Sequence, residues 1–299
     1  SGDPCVITAS DKNAGYRAGV MTNETVIAST WNKELVEEYG KVMGNFSLWA
    51  NLPIWWGIGV NLHRCPYNAR NHEYYSEDSV LSSFMGAATI KGAQAYGVIA
   101  APKHVAFNDS EVNRTGVATF MTEQKAREGE LRAMQSSFED AKCLGAMTAY
   151  NRDGVYTDNA HPTLLKNIVR GEWGFKGLMS EDFIMDPSYV TLKEAVINGV
   201  TMSCNTGEST MEAVSGYYQG WTVDNVKDDP ELTAALKQVM TWQAYALANS
   251  NAMDGYTSST RLETVRTWYD NALTAAWVVF GLLTVGAGAM YVLSSKKEN

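Results

Sequence analysis

The sequence has little proline, few cysteines and no excess of positive charge. Its 299 residues include 7 Pro and are 45% hydrophobic, a composition typical of ordered globular proteins, which excludes collagen-like, coiled-coil and disordered chains. The net charge of −9 argues against a nucleic-acid partner, because binding to phosphates needs a basic surface. We therefore expect an ordered protein that does not bind nucleic acid.

Closely spaced cysteines are also lacking. No C-x-x-C pair occurs, although zinc sites and disulfide-stabilised domains usually show one or more such pairs. We expect free or buried thiols, no metal site and no cofactor. The four cysteines are Cys5, Cys65, Cys143 and Cys204.

Charge is absent from one long segment near the C-terminus. Residues 271–295 contain no Asp, Glu, Lys, Arg or His and are long enough to cross the hydrocarbon core of a bilayer, about 30 Å thick, as a helix. Asp270 precedes this segment and Lys296 and Lys297 follow it, which favours a cytoplasmic C-terminus. The alternative is a buried core helix of a soluble protein.

We therefore predict a single-pass protein of the cell membrane whose globular domain is extracellular. The predicted segments are a barrel domain at 1–255, a juxtamembrane segment at 256–270, a transmembrane helix at 271–295 and a short cytoplasmic tail at 296–299.

Short apolar runs alternate with longer amphipathic segments through the globular part, a pattern that predicts parallel βα units. Polar residues follow four of the runs, and in a (β/α)8 barrel the active site lies at the carboxyl ends of the strands. Taken singly, Lys103 or His104 could instead cap a helix or bond the backbone. Six strands fall short of eight, so we expect an α/β fold, a TIM-like barrel that is incomplete or collapsed. The predicted strands are Cys5–Ala9, Pro53–Leu62, Gly97–Ala101, Gly145–Ala149, Gly177–Ser180 and Val200–Ser203.

The intervening segments show the period of amphipathic helices. One carries apolar residues from Leu35 to Phe46, and another from Val80 to Ala88. Asp229 followed by Pro230 predicts an N-cap and a first-turn proline for a helix that ends near Ala248. Pro162 and Pro187 also stand where a first helical turn tolerates proline.

Three segments carry long motifs. Residues 61–78 read NLHRCPYNARNHEYYSED. This segment resembles the signature N-x-x-R-x-P-x-x-x-R-N-x-E-x-x-S-E-D of glycoside hydrolase family 3, the β-glucosidase family. The family's K-H-F-x-x-N-D-x-E-x-x-R segment is similar to residues 103–114, KHVAFNDSEVNR. Its block around the nucleophile resembles residues 146–183, AMTAYNRDGVYTDNAHPTLLKNIVRGEWGFKGLMSEDF. The resemblance runs in order from about Asp11 to about Cys204, most of the globular part.

This resemblance implies a retaining mechanism, in which one carboxylate attacks the anomeric carbon and a second group protonates the leaving oxygen. It places the nucleophile at Asp182, and strand alternation points the neighbouring Glu181 the other way. Charged donors at the matching positions would grip the hydroxyls of the terminal sugar. The substrate-binding residues that the resemblance implies are Asp11, Arg70, Lys103, His104 and Tyr150.

The sequence departs from the family in its proton donor. The β-glucosidase branch takes an acid/base glutamate from a separate α/β sandwich domain, to which no segment here corresponds. The N-acetylglucosaminidase branch uses a histidine near K-H-F-P-G-H-G, whereas residues 103–109 read KHVAFND. We expect the acid/base to come from a second domain or chain, and these residues to be the C-terminal portion of a larger, circularly permuted enzyme.

The leading hypothesis is therefore a membrane-anchored, retaining, exo-acting β-glycosidase that is similar to β-glucosidases and removes terminal sugars from oligosaccharides or glycosides. An alternative is a membrane-anchored carbohydrate-binding or scaffold protein that has kept the sugar pocket without full catalysis. A third is an unrelated barrel enzyme.

Overall fold

The computed structural model describes residues 21–50, 52–182, 189, 191–203, 221–253 and 268–295. The chain divides into two compact units, Ser1–Asp254 and Gly255–Asn299. Several sequence predictions lie outside the described residues: the strand Cys5–Ala9, the substrate-binding Asp11 and the helix-starting Pro187.

The larger unit is an α/β structure in which helices separate short parallel strands. Its strands are β1 (Ile54–Gly59), β2 (Ile99–Lys103), β3 (Ala118–Thr119), β4 (Gly145–Met147), β5 (Arg152–Asp153), β6 (Tyr156–Thr157) and β7 (Leu178–Ser180). Its α-helices are α1 (Glu24–Ala28), α2 (Lys33–Trp49), α3 (Ser79–Gln94), α4 (Glu123–Glu128), α5 (Glu130–Glu139), α6 (Leu192–Ile197), α7 (Val223–Val226) and α8 (Pro230–Ala248). Single 3₁₀ turns occur at Asn71–Glu73, Asp158–Ala160 and Asn251–Met253, and a π-helix spans Pro162–Glu172.

The principal strands lie side by side in one direction. β1 pairs with β2 and β4 pairs with β7, both in parallel. A parallel bridge between Val105 and Thr148 joins the two pairs, and another joins Ser180 to Met202. The resulting order is β1-β2-β4-β7, followed by Met202. This is the order of consecutive βα units along part of a barrel wall. A separate small sheet contains β3, β5 and β6.

Five of the six predicted strands lie within the described residues, and their positions are confirmed; most were predicted too long, while Gly97–Ala101 was placed two residues too early relative to β2. The predicted strand Pro53–Leu62 is a regular strand only over Ile54–Gly59, and beyond it the side chain of Asn61 bonds the backbone of His104. The predicted Val200–Ser203 contributes a single bridging residue, Met202. Apolar runs overestimate these strands because buried loop residues beyond a strand end are apolar as well.

Helix starts follow the capping residues that the sequence carries. The side chain of Asp229 accepts a hydrogen bond from the backbone N–H of Leu232 at 3.0 Å, and Pro230 opens α8 as predicted. Pro162 likewise stands in the first turn of its helix, although that helix is of the π type. The period predicted for α2 and α3 is also confirmed. Four of the apolar residues that carry it are nevertheless exposed: Leu35, Val42, Val80 and Phe84.

The two helices α2 and α3 approach closely where both carry glycine. A Cβ added to Gly40 would lie 2.2 Å from the carbonyl oxygen of Thr89, and one added to Gly92 would lie 2.1 Å from that of Glu37. The backbones can therefore meet at this crossing only because neither position has a side chain. This contact holds the helical layer against β1 and β2, whose carboxyl ends carry the site.

In the smaller unit, the described residues form one helix, α9 (Trp268–Ser295). It begins three residues before the predicted transmembrane segment and ends with it. Its segment Asp270–Met290 is long and apolar enough to cross a membrane, with a mean hydropathy of 1.8 and none of it buried within the protein.

Candidate active site

Polar side chains gather at the carboxyl ends of the parallel strands. Lys103 is the last residue of β2 and His104 follows it, while Asp182 comes two residues after the end of β7. Tyr150 comes three residues after β4. Because the strands are parallel and adjacent, these residues meet at one edge of the sheet.

Asp182 is a buried carboxylate with two basic neighbours. Its side chain is 6% exposed, and its Oδ2 accepts a hydrogen bond from Nη1 of Arg114 at 3.2 Å. Nε2 of His104 lies 3.8 Å from the same oxygen. The adjacent Glu181 is buried too, at 1% exposure. The arrangement brings Asp182 to the predicted sugar-binding residues.

A carboxylate that the sequence prediction did not include joins two of the predicted cations. Oε2 of Glu73 lies 2.7 Å from Nη2 of Arg70 and 3.3 Å from Nζ of Lys103. Burial disfavours the charge of Glu73, but the hydrogen bond from Arg70 and the charge of Lys103 outweigh it, so its pKa is below the usual range. Burial also lowers the pKa of Lys103, and the charge of Glu73 opposes that shift. Glu73 thus fixes both cations beside the strand ends.

His104 is held in one orientation by its neighbours. Oδ1 of Asn61 accepts from the backbone N–H of His104 at 2.7 Å, and Nδ2 of Asn61 donates to the His104 carbonyl at 3.0 Å. Nδ2 of Asn108 lies 3.3 Å from the ring Nδ1. Complete burial and the positive charges around it lower the pKa of His104 well below its usual range, so the imidazole is neutral.

Glu111 and Arg114 connect the two halves of the cluster. Oε1 of Glu111 accepts hydrogen bonds from Arg70 at 3.1 Å and from Arg114 at 3.4 Å. The Arg114 guanidinium lies 5.1 Å from the centre of the Tyr150 ring and also bonds Asp182. One continuous set of contacts therefore joins the five predicted site residues that the structure describes.

Sequence reasoning did not assign Glu73, Glu111 or Arg114 to the site, although all three stand at fixed letters of the motifs quoted above. The missed signal was charge balance. Two cations predicted to share one site, Arg70 and Lys103, call for carboxylates nearby if they are buried. The acidic letters of the same motifs were the natural source.

Two cavities of the larger unit have walls, as far as the described residues show them, that do not include Asp182. One of about 310 Å³ includes Phe107, Asp153 and His161 in its wall, and one of about 520 Å³ includes Arg152 and Tyr189. Among the described residues, His, Cys, Asp and Glu side chains form no group of three or more that could hold a metal ion.

Residues 4–212 match the glycosyl hydrolase family 3 N terminal domain. The chain belongs to this family. The domain is a TIM-barrel-like α/β fold, which agrees with the parallel strand order observed here. The members of the family that it resembles are glycoside hydrolases.

Among its relatives, beta-glucosidase A of Butyrivibrio fibrisolvens is 34% identical over 214 residues, which are 68% of this chain and 25% of that protein. A beta-glucosidase of Ruminococcus albus is 31% identical over 212 residues, 68% of this chain and 22% of that protein. The chain thus spans about a quarter of the length of these curated relatives.

The chain is also similar to part of several solved structures. Beta-glucosidase 3B from Thermotoga neapolitana, in complex with glucose, superposes with a TM-score of 0.74 at 29% identity, over 85% of this chain and 36% of that one. A beta-glucosidase from Kluyveromyces marxianus, also in complex with glucose, gives a TM-score of 0.67 at 27% identity, over 87% of this chain and 32% of that one.

Proposed function

We propose that this chain carries the nucleophile half of a retaining, exo-acting β-glycosidase that acts as a β-glucosidase, with Asp182 as the nucleophile. The observation that carries the proposal is the position of Asp182, a buried carboxylate at the end of β7 in contact with Arg114 and within 3.8 Å of His104. The family membership and the names of the relatives support the same activity.

In the first step, a carboxylate oxygen of Asp182 attacks the anomeric carbon and the bond to the leaving oxygen breaks. The leaving oxygen takes a proton from a general acid. Water then attacks the glycosyl ester, gives up a proton to the same group, and releases the sugar with its configuration retained. Asp182 must be ionised and free to move from Arg114 towards the sugar for this step to occur.

The surrounding side chains suit the recognition of a neutral sugar. Lys103 and Arg70 offer charged donors to hydroxyl groups, and the neutral imidazole of His104 presents one donor or one acceptor. Glu73 prevents the two cations from repelling each other. Asp11, which the family resemblance adds as a ligand for vicinal hydroxyls, lies outside the described residues.

The proton donor is proposed to lie in a second α/β sandwich domain or chain. The support is the limited share of each relative that this chain covers, 36% of the Thermotoga neapolitana structure for example. In the complete enzyme a carboxyl group of that domain would lie about 5–5.5 Å from the Asp182 carboxylate, the spacing of retaining glycosidases.

Substrates with different leaving groups test this division of labour. The chain alone should release 2,4-dinitrophenol from its β-glucoside, because that leaving group departs without protonation. It should leave an alkyl β-glucoside intact, because an alkoxide needs a proton to depart. Glucose binding without release of 2,4-dinitrophenol, even as a single burst, would instead support the carbohydrate-binding alternative. Efficient hydrolysis of the alkyl glucoside would show that the acid/base lies in this chain.

We further propose that α9 anchors the protein in the cell membrane as a single-pass helix, with the catalytic domain outside. The support is the run of exposed apolar side chains along Asp270–Met290.

A further inference from the structure

The two ring nitrogens of His104 face groups of opposite hydrogen-bonding character. Nε2 faces Oδ2 of Asp182, 3.8 Å away, and an ionised carboxylate can only accept hydrogen bonds. Nδ1 faces the side-chain amide nitrogen of Asn108 at 3.3 Å, and an amide nitrogen can only donate. A neutral imidazole carries one hydrogen, so these two neighbours determine which nitrogen holds it.

The orientation of the Asn108 amide is fixed by Glu111. Nδ2 of Asn108 lies 3.2 Å from Oε1 of Glu111, so the NH₂ group and not the carbonyl oxygen must face this carboxylate. One amide hydrogen therefore goes to Glu111. The other lies between Nδ1 of His104 and the hydroxyl oxygen of Tyr74, which are 3.3 Å and 3.2 Å from Nδ2. The Tyr74 hydroxyl donates its own hydrogen to the backbone carbonyl of Asn108, so Asn108 is the donor towards His104.

The opposite tautomer of His104 would have poorer contacts. A hydrogen on Nδ1 could be accepted by Oδ1 of Asn61 at 3.4 Å, but that oxygen already accepts from the His104 backbone N–H at 2.7 Å. The same hydrogen would meet the amide hydrogen of Asn108. It would also leave the lone pair of Nε2 facing the Asp182 carboxylate, a repulsion that water screens little at a ring only 1% exposed. The contacts therefore favour a hydrogen on Nε2.

We propose that Asn108 is a positioning residue that holds His104 as the Nε2–H tautomer, so that His104 donates a hydrogen bond to a hydroxyl oxygen of the bound sugar. The tautomer follows from the contacts of Asn108, Glu111 and Asp182. The contact with a sugar rests on the proposed glycosidase function. The hydroxyl group that meets Nε2 is then an acceptor towards His104 and keeps its own hydrogen for another partner.

Nitrogen NMR of the full chain in detergent micelles, with isotope labels at the histidine ring nitrogens, tests the tautomer directly. The chain has four histidines, and the resonances of His104 are assigned by their loss in His104→Gln. Protonated and unprotonated ring nitrogens resonate far apart, and their couplings to the carbon-bound ring hydrogens identify each nitrogen. At neutral pH, Nε2 should carry the hydrogen and Nδ1 should not. The reverse assignment would overturn the proposal.

Two variants test whether Asn108 sets this tautomer. Asn108→Asp replaces the amide donor with a carboxylate of the same shape, and at pH 8 Nδ1 should gain a hydrogen. Tyr74→Phe removes the neighbouring hydroxyl but keeps the amide, and Nδ1 should stay unprotonated. The matched control is Asn198→Asp, at another buried asparagine, whose amide donates to the carbonyl of Ala160 at 2.8 Å. It should leave the His104 resonances unchanged.

These variants can also overturn the proposal. An unprotonated Nδ1 in folded Asn108→Asp would show that the amide does not determine the tautomer. Protonation of Nδ1 in Tyr74→Phe would show that the tyrosine hydroxyl determines it instead.

D-Glucose tests the contact with the sugar. It should shift the Nε2–H resonance in a saturable manner and leave Nδ1 unprotonated, because His104 remains the donor. Transfer of the hydrogen to Nδ1 on binding would show that the sugar donates to His104, and this result or no response at all would overturn the proposal. The predicted response in a protein that forms no glycosyl-enzyme would keep the roles of Asn108 and His104 and reject the proposed glycosidase.

Discussion

The two units of the chain differ in which side chains they expose to solvent. In the larger unit, charged groups are withdrawn from solvent: the side chains of Lys103 and Asp182 are 3% and 6% exposed. In α9, large apolar side chains face outward: Trp277 is 72% exposed and Phe280 is 66% exposed. Each arrangement is unfavourable in an isolated soluble domain.

The two units differ in how these unfavourable exposures and burials are compensated. The buried charges of the larger unit are matched one to another, through Glu73 between two cations and Arg114 between two carboxylates. The exposed side chains of α9 have no such internal solution, since none of its apolar segment is buried within the protein. The first arrangement supports the proposal of a catalytic site at the strand ends, and the second supports the proposal that α9 is a membrane anchor.

The largest expected effect is a difference in kcat between variants of two neighbouring buried carboxylates. Asp182→Ala should lower kcat for an activated aryl β-glucoside by about four orders of magnitude or more, roughly 5.5 kcal/mol of barrier, because it removes the nucleophile. Glu181→Gln, one residue away and equally buried, should keep most of the activity. Steady-state kinetics of the two variants, with circular dichroism to confirm folding, make the comparison. Equal losses in both would remove the distinction between the two carboxylates.

The next effect separates a buried ion pair from an exposed one with the same spacing. Glu73→Gln removes the carboxylate that Lys103 and Arg70 share and leaves Arg70 paired with Glu111 alone, and should lower the free energy of unfolding by about 3–5 kcal/mol. Glu38→Gln breaks the exposed pair of Glu38 with Lys41, also three residues apart, and should cost less than about 1 kcal/mol. Denaturant unfolding measures both. Similar small losses would show that the cluster at the strand ends is not held by matched charge.

The third effect tests the apolar surface of α9. Val279→Arg should weaken membrane insertion by about 2.5–3.5 kcal/mol, because the charge would lie near the centre of the proposed span. Val155→Arg, at an exposed valine of the larger unit, should change membrane association little. Flotation with lipid vesicles, followed by alkaline extraction, quantifies the bound fraction. If both variants stay in the membrane fraction, or both leave it, α9 is not the anchor.

The smallest effect concerns pH. Burial and the charge of Glu130 raise the pKa of Asp109 to about 7. Since this pKa is raised on folding, the contribution of Asp109 to stability is greatest below about pH 4, the unfolded pKa, and is lost as pH rises towards 7.

Asp109→Asn should therefore reduce the fall in stability between pH 4 and 7, whereas the exposed Asp224→Asn should not alter it. Thermal unfolding of both variants across this range checks the slope. An unchanged slope in Asp109→Asn would mean that this carboxyl group ionises normally in the folded protein.

The sequence predicted the features that depend on local patterns and missed those that depend on tertiary contacts. Parallel strands, capped helix starts and the uncharged helix follow from local patterns, so the positions of β1, β2, β4, β7 and α8 were predicted correctly. The exposed faces of α2 and α3 were not, because Leu35 and Phe84 fit the helical period whether or not another element covers them. Periodicity identifies a face but does not identify its partner.

The residues of the site were also predicted only in part. Motif resemblance supplied Arg70, Lys103 and Asp182, and the structure places them within one set of contacts. The bridging roles of Glu111 and Arg114 depend on which carboxylate reaches which cation across two loops. That choice is made by tertiary packing and is not readable from spacing. Tyr189 shows the same limit, since its ring stacks on that of Tyr150, a residue 39 positions earlier in the chain.

The central claim, that Asp182 is the nucleophile of a retaining glycosidase, is tested most directly by trapping the covalent intermediate. The chain would be incubated with 2,4-dinitrophenyl 2-deoxy-2-fluoro-β-glucoside, digested, and sequenced by mass spectrometry. The fluorine slows both steps and the leaving group compensates only the first, so the ester accumulates. The account predicts a fluoroglucosyl group on Asp182, absent in Asp182→Ala. Labelling of Glu181 or another residue, or no labelling of a folded chain, would contradict it.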